Sequence, residues 1–251
     1  MSKDKSKAGC LICGADIAYL PNKTQLSCAV CNDSKWADAQ CLDGHFICDS
    51  CHATDSCTWI EQQCLKSDTT RPIEFAVEMM RHPCVAMHGP EHHFLIPAAL
   101  LTVYYNLMQQ PDLKQNKVRE ARQRAQNVVG GSCGFNGACG AAIGVGIFVS
   151  LATDATPMSS EEWRLSNSAT AKALAEIAER GGPRCCKHSA FIALESAVNF
   201  SASHLGQTMP SEQASCEFFR LNRECLGKNC DYFKAGRKAK QAAVATPDKS
   251  R

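Results

Sequence analysis

The chain has 251 residues, enough for one full-sized domain or for a small domain beside a medium one. Its formal net charge of +2 gives no bulk electrostatic reason to expect nucleic acid as a partner. Apolar content is ordinary at 45%, but 17 cysteines are far above normal usage, and their odd number leaves at least one thiol outside any all-disulfide scheme.

The first residues, MSKDKSKAGC, have a basic start and no apolar stretch, so they do not read as a secretory signal. A cytoplasmic chain this rich in cysteine is expected to bind metal or carry thiol chemistry rather than be held by disulfides. The main apolar runs, FLIPAALLTVYYNLM (94–108) and AAIGVGIFVSLA (141–152), fall short of the roughly 18 residues a membrane span needs. Both read as buried helices.

Residues 10–64 carry nine cysteines and too little continuous apolar sequence for an ordinary core, so this block needs a staple. Four ligand pairs stand out: Cys10-x2-Cys13, Cys28-x2-Cys31, Cys41-x3-His45 and Cys48-x2-Cys51. A Cys-x2-Cys knuckle presents two thiolates to one ion, and two such pairs complete a tetrahedral site, so four pairs predict two zinc ions. The pairing stays open. Consecutive pairing puts Cys10, Cys13, Cys28 and Cys31 on one ion, whereas a cross-brace joins pairs one and three, and two and four. The run from Cys28 to Cys51 resembles the front half of a RING-type finger. The closing half departs from it, because six residues rather than two separate Cys57 from Cys64, and that argues against a ubiquitin ligase. CDSCH (48–52) also matches a c-type haem attachment motif, but haem attachment needs export.

From about residue 70 the texture becomes helical. IEFAVEMMRH (73–82) reads as a helix, and the next opens on Gly89-Pro90, with Pro97 expected to kink it or shift its start. DLKQNKVREARQRAQNVVGG (112–131) is a polar, basic helix ending at a Gly pair, and the apolar segment after it turns helical near Ala138. Ser159 and Glu162 have capping-box spacing. SATAKALAEIAERGGP (168–183) is helical up to its Gly-Gly-Pro stop, and a further helix covers about 184–205. The tail from Lys234 is basic, Ala-rich and expected to be disordered.

Three helix starts in this region carry soft or titratable ligands. HPCVAMHGPEHHF holds Cys84, His88, His92 and His93. GGSCGFNGACGAAIGVG (130–146) holds Cys133 and Cys139 among seven glycines. GGPRCCKH holds Cys185 and Cys186. Free N–H groups and the helix dipole favour a thiolate at such a start, and Arg184 and Lys187 are expected to add to that at Cys185 and Cys186. The plain alternative is that the glycines only let helices approach and the thiols are buried. The Gly-rich turn lacks the lysine of a phosphate loop and follows a helix rather than a strand, so nucleotide binding is not expected. Cys216-x8-Cys225-x4-Cys230 has a spacing that suits an iron–sulfur cluster or a third zinc, with Cys84 as a further candidate ligand.

HPCVAMHGPEHHFLIPAALLTVYYN, GGSCGFNGACGAAIGVGIFVSLATDATP, GGPRCCKHSAFIAL and ECLGKNCDYF resemble an uncharacterised prokaryotic family of Cys-rich domains, over roughly residues 10–233. Members are sometimes fused behind SAM-dependent methyltransferase-type domains. The resemblance therefore implies a protein partner, a methyltransferase-type or redox enzyme. A shorter stretch, Gly130, Gly131, Cys139, Gly140, Ala141 and Gly144, is similar to the Gly-rich turn of the C-GCAxxG-C-C proteins, a family associated with redox activity.

The expectation is thus a mainly α fold. A small zinc-ribbon or treble-clef-like module at 8–66 precedes an α-helical Cys/His-rich domain at 70–233 and a disordered tail at 234–251. Metal ligands are Cys10, Cys13, Cys28, Cys31, Cys41, His45, Cys48 and Cys51. A thiol-redox or metal-dependent site is expected to gather Cys133, Cys139, Cys185 and Cys186 with His88 and His92. Cys84, Cys216, Cys225 and Cys230 are cofactor-binding candidates. The rival class is a non-enzymatic adaptor whose zinc module docks a partner. Neither nucleic acid nor membrane is expected as a partner.

Overall fold

A computed structural model describes residues 10, 12–48, 51 and 55–233. The expected disordered tail at 234–251 lies outside the described residues. Two antiparallel strands, β1 (Ile17–Ser27) and β2 (Ser34–Cys41), form a ribbon that runs in register from Ile17 opposite Cys41 to Ser27 opposite Ser34. The pairing is irregular between Tyr19 and Thr24. Pro21 falls in that gap and has no N–H to give to a ladder. An isolated two-stranded ribbon is marginal in water, and most of this one is exposed. Its order must come from elsewhere.

The hairpin turn is itself a cysteine knuckle. Cys28 N–H donates to the Asp33 carbonyl at 2.8 Å, and Asn32 N–H donates back to the Cys28 carbonyl at 2.9 Å. The same loop is built at Cys10, whose N–H donates to Ala15 at 2.7 Å while Gly14 donates to Cys10 at 2.8 Å. Both turns need a left-handed residue four positions on, and Gly14 (φ 78°) and Asn32 (φ 61°) supply it.

Eight helices follow among the described residues: α1 (Ser56–Lys66), α2 (Pro72–Arg81), α3 (Glu91–Leu107), α4 (Pro111–Ala125), α5 (Ser132–Phe135), α6 (Gly140–Ala152), α7 (Glu161–Arg180) and α8 (Cys186–His204). α3 is the centre. It is apolar on every side and buried from Glu91 to Tyr105, as a helix surrounded by others must be. α1, α4, α6 and α8 pack against it. The expected boundary near residue 66 falls at the end of α1, whose Ile60 and Cys64 lie in this helical core. No helix among the described residues is long and apolar enough to cross a membrane.

Three sequence expectations change in detail. α3 runs on through Pro97 from Glu91 to Leu107. Pro97 cannot donate to the His93 carbonyl, and α6 comes in at that point with Gly144, where a Cβ would sit 3.1 Å from this oxygen. The predicted capping box is not made. Ser159 Oγ instead accepts from Thr156 N–H at 3.0 Å, and α7 starts one residue later. The segments around 160 and 168–183 form one helix, which ends at Gly181 with φ 71°.

The glycines of α6 answer the packing question. A Cβ at Gly140 would fall 2.1 Å from His93, and one at Gly146 would fall 1.9 Å from Thr170. α6 thus lies against α3 through one glycine-lined side and against α7 through another.

The chain after α8 folds back over the bundle. Glu212 accepts from the Ile73 and Glu74 N–H groups at 2.7 and 3.2 Å, capping the start of α2 from 139 residues away. Tyr232 Oη donates to Glu195 at 2.6 Å, and Cys216 N–H donates to the Tyr232 carbonyl at 2.6 Å. These contacts bring Cys216, Cys225 and Cys230 over the start of α8.

Candidate metal centres

Two four-ligand clusters form around the ribbon. Cys10, Cys13, Cys41 and His45 make one, and Cys28, Cys31, Cys48 and Cys51 make the other, each with its ligand atoms within 4.8 Å of one another. The pairing is therefore a cross-brace: pair one with pair three, and pair two with pair four. The hairpin dictates this, because Ile17 opposite Cys41 sets the end of β2 beside the chain entering β1. Cys48 and Cys51, the two cysteines of the haem-like motif, are both used in the second cluster, while His52 lies outside the described residues.

The spacing suits zinc. Zn–S bonds of about 2.3 Å place tetrahedral sulfurs about 3.8 Å apart. Cys13 and Cys41 Sγ lie 3.8 Å apart, as do Cys31 and Cys48 Sγ. His45 presents Nδ1, 3.4 Å from Cys41 Sγ.

Without a cation, these thiols do not ionise together. Burial raises Cys13 to about 12 and raises Cys51 further still. Burial also opposes ionisation of Cys41, but N–H donation from His45 and a hydrogen bond from Cys10 outweigh it and bring Cys41 down to about 7. Cys28 is lowered in the same way, against burial, by the N–H groups of Cys31, Cys48 and Val30. Four sulfurs this close can all be thiolates only around a positive ion, so a metal held here would release protons on binding.

The helical domain divides the remaining candidates into separate groups. Cys185 joins Cys216, Cys225 and Cys230 around one cavity, with His188 and Tyr232 in its wall. Cys186, the next residue, points elsewhere. Cys185 is the extended N-cap of α8 and Cys186 its first helical residue. Cys186 accepts from the Gly89 backbone, and Cys139 and Cys133 are near enough to raise its pKa.

Arg184 does favour the Cys186 thiolate, as expected, but burial outweighs it. Burial raises both thiols. Lys187 turns inward, with Nζ 3.2 Å from the Met80 carbonyl and 4.4 Å from the Phe218 ring centre, and burial lowers it to about 8.

Cys84 is not brought to the C-terminal trio. It lies 2.8 Å from His82 Nδ1, which also accepts the Cys84 N–H, so a neutral thiol faces a neutral imidazole. Burial holds Cys84 near 12 and His82 near 4. His88 Nε2 donates to Asn222 Oδ1 at 3.2 Å. The buried His92 donates from Nδ1 to the Gly89 carbonyl at 3.2 Å, leaving Nε2 as a lone pair without a protein partner. His93 donates from Nδ1 to the Val128 carbonyl at 3.1 Å. Cys57 and Cys64, the cysteines of the RING-like comparison, sit on α1, and Cys64 is fully buried.

Two residues that sequence reasoning passed over belong to this neighbourhood. Glu91 is buried with Oε1 unpartnered, its carboxylate curled over Gly89, where a Cβ would fall 2.0 Å from it. His188 lines the Cys185 cavity and donates its N–H to Cys185 Sγ at 3.4 Å. A carboxylate directly after Gly-Pro, and a histidine three residues after a cysteine N-cap, were the available signals.

No curated protein and no solved structure gives a significant match to the chain. Residues 60–233, the helical bundle and the C-terminal segment folded over it, match the profile of DUF5714, and the chain belongs to this family of unknown function.

Proposed function

We propose that this protein is a cytoplasmic zinc protein whose N-terminal module is cross-braced by two zinc ions and whose helical domain carries a thiol-based, metal-dependent or redox site. The observation that carries this reading is the pair of 3.8 Å sulfur–sulfur separations, which equal the edge expected of a zinc–thiolate tetrahedron. All 17 cysteines are free thiols, which fits a reducing compartment. In the helical domain, Cys133, Cys139 and Cys186 form one thiol group and Cys185 belongs to another. His88 and His92, each with one buried ring nitrogen unpartnered, supply ligands or proton acceptors. Elemental analysis with native mass spectrometry of the intact chain should find about two zinc ions, and Cys28→Ser should remove the one bound by the second cluster. A chain that is folded and metal-free as purified would refute the reading.

The adaptor reading also has a specific observation behind it. Tyr19 (83% exposed) and Trp36 (71% exposed) stand on the stapled ribbon with no core to cover them. A methyltransferase-type or redox enzyme would be the partner. Cross-linking from these two positions tests it: capture of such an enzyme supports the adaptor, and its absence leaves the zinc module a purely internal staple.

A further inference from the structure

The Cys185–Cys216–Cys225–Cys230 cavity has a local chemistry that the two N-terminal clusters explain. In those clusters the sulfur of residue i accepts the backbone N–H of residue i+2: Ile12 to Cys10 at 3.4 Å, Ala15 to Cys13, Val30 to Cys28, Asp33 to Cys31 and Asp43 to Cys41. This turn aims the sulfur outward and supplies a donor that stabilises it as a thiolate.

Three of the cavity cysteines repeat the turn. Gly227 donates to Cys225 at 3.3 Å, Phe218 to Cys216 and Tyr232 to Cys230, while the Cys185 sulfur accepts from the His188 N–H at 3.4 Å as the cap of α8. The four come from three places in the chain: a helix cap, an isolated bridge, and the two sides of a short 3-10 turn at Gly227–Asn229. Four cysteines from three separate places, each with a backbone donor on its sulfur, are not what packing alone gathers around one cavity. Cys186, which lies outside the cavity, takes its donor from Gly89 across the chain.

The cavity differs from the zinc clusters in one respect. Among the described residues, only the two N-terminal groups bring three or more ligand atoms within 4.8 Å. The cavity sulfurs are spread wider than one tetrahedral ion allows. An iron–sulfur cluster takes ligands set wider apart, because each thiolate binds its own iron and the cluster core holds the four sulfurs apart.

We infer that Cys185, Cys216, Cys225 and Cys230 are the four ligands of an iron–sulfur cluster, held between the start of α8 and the C-terminal segment. This rests on the metal-dependent reading of the helical domain and assigns its ligand set. Each thiol loses its proton to solvent as it takes iron, and two ferrous and two ferric ions with four sulfides make up the core without net oxidation or reduction.

The test is anaerobic reconstitution of the zinc-loaded full chain with equal amounts of ferrous and ferric iron and with sulfide. About four iron and four sulfide per chain should be taken up, with broad visible charge-transfer absorption and zinc unchanged at two. Cys216→Ser and Cys225→Ser should each abolish that absorption while the helical circular dichroism and both zinc ions remain. Cys84→Ser, outside the cavity, should leave the cluster intact. Iron uptake that survives both cavity substitutions, or a folded wild-type chain that takes no iron, overturns the inference. A third zinc bound by these same cysteines also overturns it, but leaves the metal-dependent reading standing. Loss of zinc from the N-terminal clusters would defeat the zinc reading without touching this one.

Discussion

Gly140→Ala is the sharpest probe of why the segment before α6 is so rich in glycine. The added Cβ would fall 2.1 Å from His93 Cδ2 and 2.3 Å from Nε2. Non-bonded carbons rest at about 3.5–4.0 Å, so the ring has to retreat by roughly 1.5 Å. It has little freedom to do so, because His93 is 9% exposed and its Nδ1–H is tied to the Val128 carbonyl. Overpacking costs about 1–3 kcal/mol, and loss of the hydrogen bond costs about 1 kcal/mol. Alanine returns up to about 1 kcal/mol through helix propensity. The expected net loss is about 1–3 kcal/mol, measured by urea unfolding of the full chain followed by helical circular dichroism. Gly134→Ala is the matched control, since a Cβ there meets nothing within 4 Å, and it should stay within about 0.5 kcal/mol of the parent. If Gly140→Ala proves as stable as Gly134→Ala, the close approach of α6 to α3 at His93 is wrong.

Other outcomes follow from the same geometry. His45→Ala should lower bound zinc from about two ions to about one by native mass spectrometry, because only the Cys10, Cys13, Cys41 cluster loses a ligand. Glu212→Gln should destabilise the chain by about 1 kcal/mol, by weakening the remote cap on α2 and the ion pair with Arg71, and hydrogen exchange should rise along residues 206–233. His82 is held near 4 by burial, below its usual 6.5, so the fold favours the neutral ring. Its contribution is therefore complete above pH 6.5 and lost as pH falls toward 4, by as much as about 3 kcal/mol. His82→Phe keeps a ring against Trp59 and should flatten that part of the stability profile relative to the parent.

The candidate metal ligands of the module were legible because a knuckle is a local device: two residues between cysteines and a left-handed residue directly after the second suffice, as at Cys10–Gly14 and Cys28–Asn32. The helical elements were legible for a similar reason, since Gly181 and the apolar run of α6 act within a few turns of themselves. Where local signals competed, they misled. Ser159 had capping spacing with Glu162 but found a nearer partner in Thr156. Arg184 and Lys187 flank two cysteines in sequence, yet Lys187 turns into the core and burial governs both thiols.

Residue types and short spacings thus determined that this chain carries metal-ligand pairs at its N-terminal end, that it is mainly helical beyond, and that its cysteines fall into clusters. Which cysteines share a cluster was decided by the fold. Sequence spacing ranks Cys185 with Cys186, but the turn from an extended N-cap into the first helical residue sends the two side chains to different neighbours. Cys185 meets Cys216, Cys225 and Cys230 only because Glu212 and Tyr232 pin the C-terminal segment across α2 and α8. Consecutive and cross-braced pairing use the same eight ligands, and the ribbon register selects the second by setting Cys41 beside the chain that leads into β1. Ligand chemistry is a property of single residues, whereas coordination requires several of them at one point, and long-range contacts alone create that point.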